Sequence, residues 1–445
     1  GLFLSGLSTS ASAISLTDVW QATQNESLEI KSLKANIEVS KSKLEQSKAL
    51  WKPSVFAKAL VGKSTYESQV KGAQFAAPAF GTMDGADFNT SINQGNATQL
   101  SIAVQQPLFS PERSAQAKQL DLASQLSHTA TQAGLNGVLV KTIEQYFQLS
   151  LAIQRVRVLE QLAKSSQASL TEAKDRFQLG ASPITDSLEA QARSSQVQAQ
   201  LLQAKNALQS LQNQIARNTK LKPEQLIATV NASQKELLSA KSLNDWAQLA
   251  LEKNLALQQQ RLSLKIAEQE LRKTDAISGL QVNLVGMASQ EKNSGNGDYG
   301  SASQKANQYS IGVQASIPLW TGGYTQAKHK ENLAAVEQAS LQTALLEQQT
   351  TDQVEQAWRN LENNKLHMQA LEQALKANQE RLQATQLGRQ VGHRTTLDLL
   401  NAQNDTAQSE LALAQSRTEN LSNQIQLLNL TGQISEAIIS NIASH

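Results

Sequence analysis

Two segments of this chain, half its length apart, carry the same residues in the same register. In the first, Phe177-Gln-Leu-Gly180 leads into Asp186, Leu188, Ala190 and Gln191; in the second, Arg389-Gln-Val-Gly392 leads into Asp398, Leu400, Ala402 and Gln403. The echo continues outward. Gln106-Pro107-Leu108-Phe109-Ser110 is answered by Ile317-Pro318-Leu319-Trp320-Thr321, and Ser15-Leu16-Thr17-Asp18 by Ser242-Leu243-Asn244-Asp245. At a spacing of roughly 210 to 230 residues the unit is far too long for a solenoid repeat. The chain is two copies of one fold unit, and any fold assigned to it must be built twice.

The composition favours long helices. Among 445 residues only 4% are aromatic, and the last of seven prolines is Pro318, so little interrupts a helical pattern. The formal charge is +2 with no long run of either sign, which leaves no electrostatic footprint for nucleic acid. Cysteine is absent, so the sequence holds no disulfide, thiolate metal site or cysteine-borne lipid anchor. Gly1-Leu-Phe-Leu-Ser-Gly-Leu7 followed by Ser and Ala through Ala13 reads as the end of a truncated secretory signal, residues 1–13. No stretch of 18 apolar residues occurs, which excludes a membrane-spanning helix. Contact with a membrane would have to be made by strands.

The period changes along each half. From Ser15 to about Leu50 the pattern is helical, with Thr17 or Asp18 as caps and Pro53 as its end. Val55, Ala57, Ala59 and Val61 then alternate with Phe56, Lys58, Leu60 and Gly62, and Leu100, Ile102 and Val104 with Ser101, Ala103 and Gln105. In the second half Leu280, Val282 and Leu284 alternate, as do Ile311, Val313, Ala315, Ile317 and Leu319. These runs predict strand pairs at 53–63 with 98–108 and at 278–287 with 308–319. The Gly, Ser, Asn and Asp content of 64–96 and 288–307 reads as long exposed loops. One apolar and one polar row over about ten residues suits a membrane barrel strand, and equally a half-buried soluble sheet.

Helices of unusual length follow each strand pair, from about Glu112 to Phe177 and from about Tyr324 to Arg389. Val354, Leu361, Met368, Leu375 and Leu382 recur every seven residues, the seam of coiled-coil packing. Each long helix ends at a glycine of the repeat, and return helices are predicted over 185–211 and 396–429. Asp186 and Asp398 fall at the start of these, where a carboxylate suits the helix dipole. The repeats are thus 14–230, with a hairpin tip near 180, and 231–445, with a tip near 392.

No catalytic set converges. The five histidines show no ligand spacing, which argues against an enzyme and against any cofactor or metal. Gly295-Asn-Gly297-Asp-Tyr-Gly300 matches a nucleotide-binding pattern formally but does not open a helix, and reads as loop. Trp51, Phe109 and Trp320 stand at strand ends on one side and fit interfacial aromatics.

Arg176-Phe177-x-x-Gly180 with Ile184-Thr185-Asp186, Val391-Gly392-x-Arg394-Thr395 with Asp398-x-Leu400, and Pro107-Leu108-Phe109 with Pro318-Leu319-Trp320 resemble the TolC-type outer membrane factors of Gram-negative bacteria over the whole mature chain. The resemblance implies an α+β membrane protein. It would be a homotrimer with four strands per chain in one β-barrel in the outer membrane, continued by a long α-helical coiled-coil tunnel in the periplasm. It implies a passive exit channel for an inner-membrane transporter of ABC or RND type. A periplasmic adaptor would dock on the tips at Gly180, Ala181, Gly392 and His393. Asp186 and Arg394 would latch the entrance, and Asp398 would form a carboxylate constriction. Asn401 stands where a second acidic ring is expected and Arg389 where an aromatic latch residue is expected, so the entrance should be less negative. Type I protein secretion is the expected cargo route, with small-molecule efflux as the alternative. The rival of a different class is a coiled-coil envelope scaffold without a pore.

Overall fold

A computed structural model describes residues 14–79, 81–228, 237–238, 242–298 and 300–443, so the expected signal segment 1–13 lies outside the described residues. The first half runs α1 (Leu16–Glu26), α2 (Leu28–Ala49), β1 (Ser54–Ala77), β2 (Gly81–Phe109), α3 (Pro111–Gln178) and α4 (Ile184–Thr219). The second runs α5 (Leu243–Lys253), α6 (Leu255–Ala276), β3 (Gln281–Gly297), β4 (Gly300–Ser316), α7 (Tyr324–Gln390) and α8 (Thr396–Leu430), with a short α9 (Ala437–Ala443) after it. Element answers element. Even the entry caps agree: the Ser15 hydroxyl accepts from the Asp18 N–H while Asp18 Oδ2 accepts from the Ser15 N–H, and Ser242 and Asp245 do the same. The cap is therefore Ser15, not Thr17 or Asp18.

The helix expected from 15 to 50 is two helices. Extended backbone at Ser27 separates α1 from α2, as it does at Asn254 in the second half. At Asn254 the cause is visible, because its side chain accepts from the Leu257 N–H at 3.0 Å and donates to the Leu430 carbonyl at 2.9 Å. A short polar side chain bonding the backbone competes with helix continuation.

The contacts divide the chain into two compact units. One gathers the described residues of 1–40, 125–262 and 340–445 and is helical. Its core holds Leu16, Ile143, Phe147, Ile215, Trp246 and Ile425, each no more than 2% exposed. Phe147→Ala should cost this unit about 3–5 kcal/mol. A denaturation midpoint matching wild type would show that the cluster does not carry its stability.

The other unit, the described residues of 41–124 and 263–339, contains one antiparallel sheet in the order β1-β2-β3-β4. Here the segments 64–96 and 288–307 correct the sequence reading, because their described residues outside the hairpin turns lie in paired strands rather than in loops. Their polar residues pair across strands, as Gln290 Nε2 does with Asn307 Oδ1 at 2.9 Å. Their glycines mark irregularities and close approach: a Cβ on Gly95 would stand 2.4 Å from Ile92 Cγ2 and 2.8 Å from the Ser294 carbonyl. The glycines of the Gly295–Gly300 string lie at the end of the β3–β4 hairpin, where Gly297 pairs with Gly300.

The register sorts the sheet into two faces. One carries the rows Val55–Val104–Gly286–Ile311 and Ala57–Ile102–Ala288–Tyr309, apolar and exposed, with Ile311 81% accessible. The other carries rows such as Lys58–Ser101–Ser289–Gln308. On this polar face the Gln304 amide of β4 donates to the Tyr66 hydroxyl of β1 at 2.8 Å, across two intervening strands, so the polar face is concave. Among the described residues of one chain β1 and β4 are edges with no further strand beside them.

Candidate functional site

Both hairpin tips are built by the same backbone device. Gly180 (φ +71°) and Gly392 (φ +79°) take left-handed conformations. The N–H of Ala181 reaches the Arg176 carbonyl and that of Gly180 the Phe177 carbonyl. His393 to Gly388 and Gly392 to Arg389 repeat the pattern. This pair of bonds closes a helix end on a residue that only glycine adopts without strain.

The return helices start differently. At α8 the Thr395 hydroxyl accepts from the Asp398 N–H, and Asp398 Oδ2 accepts from the Thr395 N–H, both at 3.0 Å. Hydrogen bonds from Thr395 to the carboxylate, that of its backbone N–H foremost and that of its side chain next, hold the Asp398 carboxyl below the usual aspartate range, with nearby Arg394 adding to the effect. A depressed carboxylate pKa stabilises the fold above the unfolded-state value and loses that contribution as pH falls through the folded value. The second tip should therefore stay capped through neutral and mildly acidic pH and loosen only below the ordinary carboxylate range. Amide exchange at 395–398 followed against pH checks this, and early loosening would contradict it. At α4 the corresponding cap is Pro183, with no side-chain bond, and Asp186 sits half-exposed in the first turn.

Among the described residues no ion pair joins Asp186 to Arg394 within one chain. The Arg394 stem instead folds against Gly388, where a Cβ would stand 2.9 Å from Arg394 Cγ. What joins the two hairpins near their tips is a different set. Arg389, at the end of α7 and with a side chain only 13% exposed, pairs with Glu172 of α3. Arg193 of α4 donates to Asn401 Oδ1 of α8 at 3.0 Å. Leu170, Ala173, Ala190 and Leu400 form a small buried cluster at the same level. The α7–α8 hairpin is held within itself by Arg381 with Asp405 and by Asn378 Nδ2 to Ser409 Oγ at 2.7 Å.

Glu172 and Arg193 escaped the sequence reading. A signal for Arg193 was present: in the register of the repeat it stands opposite Asp405 of the second copy, a charge reversal between equivalent positions. Nothing comparable marked Glu172, whose partner lies in the other repeat.

At the other unit, Phe109 is 52% and Trp320 87% exposed, while Trp51 is half-buried and its carbonyl accepts from Gln106 Nε2 at 2.7 Å. No helix among the described residues is long and apolar enough to cross a membrane, and no cluster of potential metal ligands is found among them.

Residues 19–219 and 246–433 match the outer membrane efflux protein family, and the chain belongs to that family. It is an outer membrane channel protein of the TolC type with a periplasmic helical part, not an enzyme. It is 24% identical to the outer membrane protein TolC of Salmonella enteritidis over 98% of this chain and 85% of that one. It is also 24% identical to the alkaline protease secretion protein AprF of Pseudomonas aeruginosa, over 77% of this chain and 71% of that one. The crystal structure of the outer membrane protein VceC from Vibrio cholerae shares the fold, with a TM-score of 0.73 at 16% identity over 94% of this chain and 96% of that one.

Proposed function

We propose that three copies of the chain assemble into one exit channel, each giving its four strands to a closed twelve-strand barrel and its hairpins to a coiled-coil tunnel. One observation carries the reading: a four-stranded sheet with an apolar face, a concave polar face and two unpaired edges. In hydrocarbon an open edge leaves several backbone groups without partners, so such a sheet must close, and four strands are too few to close alone. The apolar face then meets outer membrane lipid and the polar face lines water, with Trp51, Phe109 and Trp320 at the periplasmic rim. The repeats 14–230 and 231–445 supply the two hairpins. Cross-linking should trap trimers, and a species of any other size would overturn the assembly.

The tips at Gly180, Ala181, Gly392 and His393 dock a periplasmic adaptor, which couples the channel to an inner-membrane transporter of ABC or RND type. Asp398 narrows the entrance, and Asp186 and Arg394 latch it between neighbouring chains. Asp186→Ala or Arg394→Ala should raise the resting conductance of the reconstituted channel; wild-type conductance in both removes that pair from the latch.

The cargo is protein, passed by type I secretion. Support comes from the named secretion proteins among the relatives, AprF and the proteases secretion protein PrtF of Dickeya chrysanthemi, 21% identical over 69% of this chain. Comparing the proteins released by cells with and without the gene tests this. Loss of one or a few large secreted proteins is expected. An unchanged secretome would favour small-molecule efflux, the reading supported by 34% identity over 128 residues to the outer membrane efflux protein BepC of Brucella suis.

A further inference from the structure

The apolar face of the sheet ends abruptly. After the rows through Ile102 and Ala288 comes Ala59–Leu100–Gln290–Asn307, and then Val61–Thr98–Lys292–Lys305, in which two lysines lie directly opposite each other. One row further, β1 contributes Lys63, paired with Asn96. All three lysines are exposed, and none has an ion-pair partner among the described residues. Glu291, next to Lys292, belongs to the opposite face, where it accepts from Asn293. Like charges placed directly across an antiparallel pair destabilise it, so the arrangement calls for an anion from outside the chain.

Its height along the strands says where. The apolar face starts at the row Phe109–Val282–Ala315, on the side of the helices. From Val282 to Lys292 a strand rises roughly 34 Å, or roughly 26 Å along the membrane normal at a tilt of about 40°. That is about the height of the apolar band of a membrane barrel. Aromatics bound the band at one edge and lysines at the other, and the lysine edge is the one facing away from the helices. Since Lys63 and Lys305 sit on the two free edge strands, closure of the barrel would carry the lysines around it as a belt.

We propose that Lys63, Lys292 and Lys305 form a binding site for phosphate-bearing lipid headgroups of the outward leaflet. The inference rests on the reading that the apolar face lies in lipid. Long side chains at this level extend from the boundary into the headgroup layer, and there each cation adds to the affinity for anionic lipid.

The test is titration of the purified assembled protein with bisphosphorylated lipid A, and with phosphatidylcholine as the neutral probe, read by native mass spectrometry. Wild type should bind lipid A more tightly than phosphatidylcholine. Lys292→Gln should weaken lipid A binding roughly fivefold and the pair Lys292→Gln with Lys305→Gln roughly thirtyfold, while Lys58→Gln on the polar face should change nothing. Equal affinity for the two lipids, wild-type binding by the double variant, or an equal loss in Lys58→Gln would overturn the site. Failure of the wild-type protein to insert into phosphatidylcholine vesicles would instead overturn the membrane reading beneath it.

Discussion

Arginine in place of Ile102 should abolish stable assembly in the outer membrane, whereas arginine at Ser101, one residue away, should leave assembly intact and change conductance instead. Ile102 is 54% exposed in the middle of the apolar face, in the row with Ala57, Ala288 and Tyr309. Ser101 lies in the row with Lys58 and Ser289 on the concave face. A charge on the lipid side near the bilayer midplane costs about 2–4 kcal/mol, and the proposed trimer would carry that cost once per chain. A charge on the lumen side is hydrated and acts on permeating ions. The fraction of protein resisting extraction from outer membranes, measured for both variants, decides the matter. Equal behaviour of the two would mean that the faces have been assigned wrongly, or that the sheet does not meet lipid at all.

Arg389→Glu should open the resting channel, and so should Glu172→Arg, while the two together should close it again. Each single change sets like charges against one another where α7 meets α3. Because Glu172 remains half exposed, screening limits the loss to on the order of 1–2 kcal/mol. That still shifts a closed-to-open ratio roughly 5- to 30-fold. The double variant is the discriminating measurement. A pair acting only as generic packing would not recover on exchange of its charges, so a double variant as leaky as the singles would deny the contact any part in closure.

Much of this was legible beforehand because it is local. Glycine at both tips, the strand periodicity near Val55 and Ile311, and the length of the helices follow from residues a few positions apart. Three things were not legible, and for physical reasons. The segments 64–96 and 288–307 look like loops because Gly, Ser and Asn dominate them, yet cross-strand polar pairs and bulges accommodate those residues in strands. The break at Asn254 depends on that single residue and on its bond to Leu430 far along the chain. The bonds between hairpins, Glu172 with Arg389 and Arg193 with Asn401, join residues of different repeats. No periodicity within one repeat could pair them.

A duplicated chain holds a spare copy of every joint, and the two tips have used that freedom unequally. The second is seated by the reciprocal Thr395–Asp398 bonds, whereas the first leaves its glycine turn through Pro183 with no side-chain bond at all. On the proposed assignment of the tips to adaptor docking, substitutions between Ala181 and Thr185 can therefore reshape one tip, and with it the choice of docking partner, while the residues around Asp398 and Asn401 stay as they are. With the tips and Asp398 in their proposed roles, fit to a partner and control of the opening can evolve on separate copies of the same motif.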